Sequence, residues 1–158
     1  MAFNHFDGEG RAHMVDVRGK QPSDREARAG ASVRLGVDLL AAVLDRAVAK
    51  GDVFGVARLA GIAAVKKTPD LIPLAHPLAV HHAAIEFTPH PDAGAVDIVC
   101  TVRAFERTGV EMEAMTGAAV AALAVYDMAK GRDKGISIGA VRLLRKSGGK
   151  SGAFERSG

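Results

Sequence analysis

A two-residue alternation over residues 25–35 is the feature that most constrains how this chain can fold. In the segment REARAGASVRL, small and apolar side chains occupy the odd positions from Ala27 to Leu35, and polar side chains occupy most even positions. A period of two is typical of a strand that buries one face. Because aromatic residues make up only 4% of the chain, its core must be built from Ala, Val, Leu and Ile. We therefore expect a sheet packed closely against the layer that covers it.

Helical and strand patterns follow in a definite order. Apolar spacing predicts a helix over 37–50 that Gly51 ends, and a second over 53–67 that Asp52 caps and residues 68–70 end. Alternating segments predict strands over 79–88, 95–104 and 136–146, and an Ala-rich run predicts a long helix over about 110–130. With the first two helices taken as one broken crossover, the order is β-α-β-β-α-β.

This order favours an α+β fold in which an antiparallel sheet carries its helices on one face. The other sheet face should then be open, and an open apolar face would invite a second subunit. The chain of 158 residues suits a single domain. We expect a flexible N-terminus over 1–12, one α+β domain over 13–146, and a mobile Gly/Ser/Lys-rich tail over 147–158.

Composition excludes several classes of protein. Hydrophobic residues make up 48% of the chain and charged residues 25%, so it is not a disordered or collagen-like sequence. Cys100 is the single cysteine, which excludes an intrachain disulfide and a cysteine-based zinc site. No apolar run approaches the length of a membrane span, and the first residues do not resemble a signal peptide. We therefore expect a cytoplasmic protein with no membrane partner.

Five polar residues stand where core packing does not require them, and they form the candidate proton-transfer set: Lys50, His76, Glu113, Asp127 and Lys130. Each also has a plainer interpretation. The prolines around His76 would present it rigidly, or it could simply bind a backbone group. Glu111 and Glu113 could compensate a helix dipole. Asp127 and Lys130 could be an ordinary exposed pair on one helix face.

The segment KSGGKSG, over 146–152, has a composition suited to holding an anion. Its glycines would let backbone N–H groups wrap the anion, and Lys146 and Lys150 would add charge. The spacing is not that of a Walker A loop, and the alternative is a disordered basic tail. The remaining histidines lack the spacing of a metal site, so no metal site is predicted.

Four segments resemble the cyclic pyranopterin monophosphate synthases, which form the molybdenum cofactor biosynthesis protein C family. They are residues 13–20, 50–78, 108–130 and 141–152, and the motifs GVEMEA, YDM-x-K and KSGGKSG carry most of the specificity. The resemblance covers residues 13–154 in order. It implies a lyase that converts (8S)-3',8-cyclo-7,8-dihydroguanosine 5'-triphosphate to cyclic pyranopterin monophosphate and releases pyrophosphate. It also implies a ferredoxin-like subunit in a homohexamer, a trimer of dimers with active sites between subunits.

The resemblance also assigns roles to residues. Asp127 takes the catalytic acid/base position, and Lys50 and Lys130 are the functional lysines. Substrate contacts fall on Leu74, Ala75, His76, Met112 and Glu113. The family usually has cysteine where this chain has Ala75 and Ala129. Since neither motif loses a charged group, we expect those thiols to be dispensable.

A triphosphate substrate needs cations to hold it. The candidates are Lys66, Lys67, Lys146 and Lys150, followed by Arg18 and Lys20. Clustered lysines lower one another's pKa, so we expect Lys50 or Lys130 to be partly neutral and able to accept a proton. No cofactor is firmly implied, although Mg²⁺ could accompany pyrophosphate.

The helix that carries Glu113 and Asp127 would place them roughly 21 Å apart. A small substrate that meets both must then take them from two subunits, which predicts a composite site. Two other classes of function compete with this one. A nucleic-acid-binding module on the same fold would need sheet aromatics that the strand over 95–104 lacks. An inactive oligomeric scaffold has only the Ala75 substitution in its favour.

Overall fold

The computed structural model describes residues 5–157. It contains the predicted elements in the predicted order, and in addition a four-residue helix and a two-residue strand. The strands are β1 (Ser23–Arg34), β2 (His82–His90), β3 (Ala95–Glu106), β4 (Ser137–Ser147) and β5 (Phe154–Glu155). The helices are α1 (Val37–Leu44), α2 (Val53–Lys66), α3 (Thr68–Leu71) and α4 (Glu111–Ala129), and a 3-10 turn over Pro91–Ala93 joins β2 to β3.

The sheet has the strand order β2-β3-β1-β4-β5, and each pair of neighbours is antiparallel. The first four strands, with crossovers between β1 and β2 and between β3 and β4, define a ferredoxin-like α+β fold. The predicted fold class is confirmed, including the broken first crossover that α1 and α2 provide.

The core lies between the sheet and two long helices. The odd-numbered side chains of β1 and the even-numbered ones of β3 are buried together, with Ala29 opposite Cys100 in the register. Against them α2 and α4 pack side by side, and small residues bring the helices close. A Cβ added at Gly61 would lie 2.9 Å from the Gly117 carbonyl oxygen and 3.1 Å from Ala121 Cβ. The expected small-residue core therefore produces the close packing.

The open sheet face differs from the apolar surface we expected. Glu26 of β1 accepts a hydrogen bond from Arg103 of β3 at 2.6 Å, and Arg145 of β4 lies 3.9 Å from the same carboxyl group. These three charged side chains lie on neighbouring strands, so an ion-pair group covers this part of the face. The expectation was wrong there because the even-numbered polar residues of the alternation point to this side.

Two helix boundaries also differ from the prediction. Helix α1 ends at Leu44 rather than at Gly51, because Arg46 adopts a left-handed conformation with φ 55°. The Arg46 N–H then donates to the Val43 carbonyl and the Ala47 N–H donates to the Ala42 carbonyl, which is a Schellman ending. Asp52 caps α2 as predicted, accepting from the Gly55 N–H at 2.8 Å. Helix α2 ends at Lys66, one residue short of the prediction, and residues 68–70, which were expected to end it, begin the short α3.

The tail contains structure that the sequence pattern did not predict. Phe154 and Glu155 pair with Lys146 and Arg145 of β4, and the Arg156 N–H donates to the Leu144 carbonyl at 2.8 Å. Residues 1–4, part of the expected flexible N-terminus, lie outside the described residues. None of the helices described is long and apolar enough to cross a membrane.

Candidate active site

Three of the predicted residues meet at the C-terminal end of α4. The Asp127 carboxylate lies 2.7 Å from Lys130 Nζ and 3.2 Å from Lys50 Nζ. Lys50 Nζ also donates to the Asp127 backbone carbonyl at 2.8 Å. The carboxylate thus bridges two ammonium groups, and all three side chains are about half exposed. This cluster can present two cations to an anionic ligand while holding both in place.

The electrostatics of this cluster correct one expectation. Hydrogen bonds from Lys130 and then from Lys50 lower the pKa of Asp127. The bond to Asp127 in turn raises the pKa of Lys130. The prediction that clustering leaves Lys130 partly neutral is therefore wrong within this subunit, because the carboxylate between the lysines outweighs their mutual repulsion. In this arrangement Lys130 is a cation and a proton donor.

Two local features bring Lys50 to Asp127. Val48 is 7% exposed and anchors the loop between α1 and α2 in the core. The close packing of α2 and α4 is the second feature. Gly61 contacts Ala121 and Val65 contacts Gly117, so the helices run antiparallel and the start of α2 lies near the end of α4. The loop that holds Lys50 therefore lies against the last turn of α4.

A second group of predicted residues lies at the opposite end of α4. Glu113, in the first turn, is 3% exposed, and burial raises its pKa to about 6. Glu111, in the same turn, lies 3.2 Å from Lys146 Nζ. Lys146 also donates to Ser151 Oγ at 2.7 Å. A carboxyl group with a pKa near 6 can exchange a proton at neutral pH, and Lys146 supplies charge nearby.

The KSGGKSG segment is folded against this end of the sheet. Gly148 has φ 93° and would place a Cβ 2.0 Å from the Asp24 backbone oxygen, so no other residue fits there. The next glycine, Gly149, lies against the Arg25 guanidinium. Arg25 donates to the Glu106 and Arg107 carbonyls. The segment therefore packs on the ends of β1 and β3 and carries Lys146 and the exposed Lys150.

His76 lies on the loop between α3 and β2, flanked by the half-buried Leu74 and Ala75. Its Nε2 is 2.7 Å from the Val15 carbonyl oxygen, so it has the backbone partner that the plainer interpretation predicted.

Lys66 lines a small cavity of about 210 Å³ together with His81. His81 also lines a groove of about 440 Å³ that includes Arg25 and Arg103.

The predicted site residues therefore divide between the two ends of α4. Lys50, Asp127 and Lys130 come together at one end, and Glu113, Met112 and Lys146 lie at the other. The 19-residue helix separates Glu113 from Asp127 by about 21 Å, as the sequence predicted. One subunit does not bring the two groups together.

Sequence reasoning missed three members of the second group: Arg25, Glu111 and Ser151. Glu111 was taken as a helix-dipole residue, and its pairing with Lys146 depends on β4 lying beside the start of α4. Arg25 belongs to none of the motifs that the sequence analysis singled out. The signal for Ser151 was present in the glycines, since two consecutive positive-φ residues turn the chain back toward Lys146.

The ferredoxin-like fold and the paired lysines and carboxylates at both ends of α4 define an α+β protein with two charged clusters. Comparison with known proteins makes this specific. The model of the MoaC family matches residues 14–149, and the chain belongs to that family.

Three relatives illustrate the similarity, and each is named cyclic pyranopterin monophosphate synthase. The protein of Geotalea uraniireducens is 66% identical over 99% of this chain and 98% of its own length. That of Geobacter metallireducens is 64% identical with the same coverage. That of Rhodospirillum rubrum is 52% identical over 97% of this chain and 92% of its own.

Proposed function

We propose that this chain is a cyclic pyranopterin monophosphate synthase of molybdenum cofactor biosynthesis. It converts (8S)-3',8-cyclo-7,8-dihydroguanosine 5'-triphosphate to cyclic pyranopterin monophosphate and releases pyrophosphate, as a lyase in the cytoplasm. The observation that carries the proposal is the Lys50–Asp127–Lys130 cluster, in a chain 66% identical to a protein with that name. The cluster supplies the cations and the fixed carboxylate that the reaction requires.

The chemistry of the cluster follows from its charges. Closing a cyclic phosphate requires a sugar-derived hydroxyl to attack the innermost phosphorus as pyrophosphate leaves. Two ammonium groups held by one carboxylate are already oriented, so they stabilise the developing negative charge without reorganising. Since Asp127 raises the pKa of Lys130, Lys130 stays protonated and meets the substrate as a cation and hydrogen-bond donor. Asp127 orients both lysines.

The substrate triphosphate is held by lysines at the other end of the site. Lys146 is held between Glu111 and Ser151, and Lys66 lines the neighbouring cavity. Lys67 and Lys150 add exposed charge. Among residues 5–157, no three His, Cys, Asp or Glu side chains are grouped closely enough to hold a metal ion. We therefore assign any Mg²⁺ of the reaction to the phosphates of the substrate.

We infer that the complete site forms between subunits of a homohexamer, a trimer of dimers. The support is geometric: the two groups of site residues are separated by the length of α4, and no small substrate spans that distance. A two-fold axis that places the start of one α4 near the end of another would bring Glu113 of one subunit to Asp127 of its neighbour.

The test is incubation of the purified protein with the cyclised triphosphate, followed by detection of pyrophosphate and of the cyclic pterin by mass spectrometry. We expect both products in equal amounts. Asp127→Asn should abolish most of the turnover. Asp97→Asn is the matched control, because it removes the carboxylate of an exposed pair with His90, which does not belong to the Lys50–Asp127–Lys130 cluster. A folded wild-type protein that makes neither product would favour the inactive scaffold.

A further inference from the structure

The N-terminal segment over 13–20 crosses the surface next to His76. It carries Arg18 and Lys20, two of the candidate phosphate-binding cations, but it belongs to neither of the two groups of site residues described above. Val15 and Val17 are half-buried in this segment, while the residues between and beyond them are exposed. Two contacts hold it in place. The Val15 carbonyl meets His76 Nε2 at 2.7 Å, and Arg107 Nη1 donates to the Arg18 carbonyl at 3.0 Å. The segment therefore lies as a strap between the loop of His76 and the residues before α4.

The contact with Val15 determines which nitrogen of His76 carries a proton. A carbonyl oxygen only accepts hydrogen bonds, so Nε2 must be protonated to approach it at 2.7 Å. In the neutral ring, the lone pair is then on Nδ1. No described residue makes a hydrogen bond to Nδ1. Every buried side-chain nitrogen or oxygen in the described part of the chain has a partner, so an Nδ1 without a partner is not buried. Nδ1 is therefore accessible from outside.

We propose that residues 13–20 form a positioning strap for His76, in which the Val15 carbonyl holds Nε2–H and leaves Nδ1 to meet the substrate. The inference rests on the proposed function and deepens it. A proton that leaves a substrate O–H or N–H moves to Nδ1 and forms an imidazolium. The Val15 carbonyl stabilises that cation because hydrogen bonds from charged donors are stronger.

The strap also fixes the orientation of the His76 ring. The prolines at 73 and 77 restrict the loop, but they do not determine the rotation of the imidazole ring. A hydrogen bond at Nε2 fixes the ring plane, and Arg107 keeps the strap in place by holding the Arg18 carbonyl. Val15 is thus a positioning residue that acts through its backbone, which is compatible with many side chains at that position.

A pair of substitutions separates the two ring nitrogens. The amide nitrogen of Gln lies near the position of Nε2, so His76→Gln keeps a donor for Val15 but loses the acceptor at Nδ1. The shorter Asn places its amide near Nδ1 and cannot reach Val15. Trypsin cleavage after Arg18 and Lys20 reports on the strap without any substrate. We expect wild-type protection in His76→Gln. In His76→Asn we expect about two- to tenfold faster cleavage, because the loss of one hydrogen bond to the Val15 carbonyl makes the open form of the strap more populated.

Activity completes this test. With the strap in place, His76→Gln should still lose about 100-fold or more in kcat, because the acceptor is gone. Near-normal turnover in His76→Gln would overturn the role of Nδ1. Equal cleavage rates in His76→Gln and His76→Asn would overturn the contact at Nε2. Neither cleavage result depends on the substrate, so failure of the proposed function in the wild-type assay is distinguishable from failure of the strap.

Nitrogen-15 NMR of the imidazole side chains gives an independent readout. The His76 signals are assigned by their loss in His76→Gln, and we expect a single Nε2–H tautomer at a pH where the ring is neutral. Arg107→Met should release the second anchor, speed cleavage after Arg18 and shift His76 toward a mixture of tautomers. A strap that stays protected would overturn the role of Arg107. A loosened strap with an unchanged tautomer, or an Nδ1–H tautomer in the wild type, would overturn the role of Val15.

Discussion

Lys50 reaches both the carboxylate and the backbone carbonyl of Asp127, although 77 residues separate them in the sequence. One ammonium group thus ties the loop between α1 and α2 to the last turn of α4. Lys130 approaches the other oxygen of the same carboxylate, at 2.7 Å. Asp127 therefore determines the position of both lysines, and its removal should affect them together.

Asp127→Asn tests this dependence. The amide keeps the size of the side chain and removes its charge, so the pKa of Lys130 should fall toward the ordinary value for a lysine. We expect turnover to fall about 100-fold or more, since positioning and charge stabilisation are both weakened. The Lys130 pKa is measured by NMR titration of the ε-carbon, and turnover by pyrophosphate release. An unchanged Lys130 pKa in a folded variant would contradict the assignment of Asp127 as its partner.

Mixed oligomers test the composite site. Glu113→Gln and Asp127→Asn should each be inactive alone, because each removes one group from every site. When the two chains are mixed before assembly, a hybrid dimer has one intact site and one site that lacks both groups. Random pairing should restore about a quarter of the wild-type turnover. Native mass spectrometry verifies that the oligomers are mixed. No recovery in verified hybrids would show that both groups act within one subunit.

Glu113 should make stability depend on pH. Burial raises its pKa to about 6 in the folded protein, so the folded state binds more protons than the unfolded state between about pH 4.5 and 6. The free energy of unfolding therefore falls as the pH rises through this range. The shift corresponds to about 2 kcal/mol.

The measurement is urea unfolding at a fixed protein concentration, at pH 4.5 and pH 7. Glu113→Gln stays neutral, so it should lose the pH dependence that Glu113 causes and be the more stable protein at pH 7. The matched control is Glu111→Gln, which removes a carboxylate that is ion-paired rather than buried. Equal stability of wild type and Glu113→Gln at pH 7 would show that a cation from another subunit compensates the buried charge.

The fold was predictable because each element carries a period of its own. The alternation over 25–35 and the long Ala-rich run correspond to β1 and α4, whose side chains are sorted by burial. The end of α1 was not predictable in the same way, because the chain leaves the helix at Arg46 rather than at the glycine that favours such a turn. Strand β5 is two residues long and has too few positions to show a pattern.

The site was predictable only where its residues are close in sequence. Asp127 and Lys130 are neighbours on one helix face, so their contact follows from helical spacing. Lys50 joins them through the packing of α2 on α4, which spacing alone does not reveal. The Lys130 pKa was misjudged for the same reason: lysines were counted without the geometry of the carboxylate between them.

The packing of α2 on α4 should tolerate no added carbon at Gly117. A Cβ there would lie 2.7 Å from both Cys100 Sγ and Val65 Cγ2, which is closer than such atoms can approach. We expect Gly117→Ala to destabilise the protein by about 1–3 kcal/mol, despite the better helix propensity of Ala. Gly131→Ala is the control, because nothing lies within 4 Å of its added Cβ. Thermal unfolding checks both. A Gly117→Ala protein as stable as Gly131→Ala would contradict the close packing.

The Schellman ending of α1 leads to a stabilising substitution. Arg46 adopts φ 55°, a conformation that costs an L-residue with a side chain about 1 kcal/mol relative to glycine. Arg46 is exposed and lies beyond the end of the helix, so Arg46→Gly should raise the free energy of unfolding by up to about 1 kcal/mol. Arg46→Ala removes the same charge but keeps the strained conformation, so it should give no such gain. Urea unfolding of the three proteins checks this, and equal effects of Gly and Ala would mean that charge, not backbone conformation, governs the position.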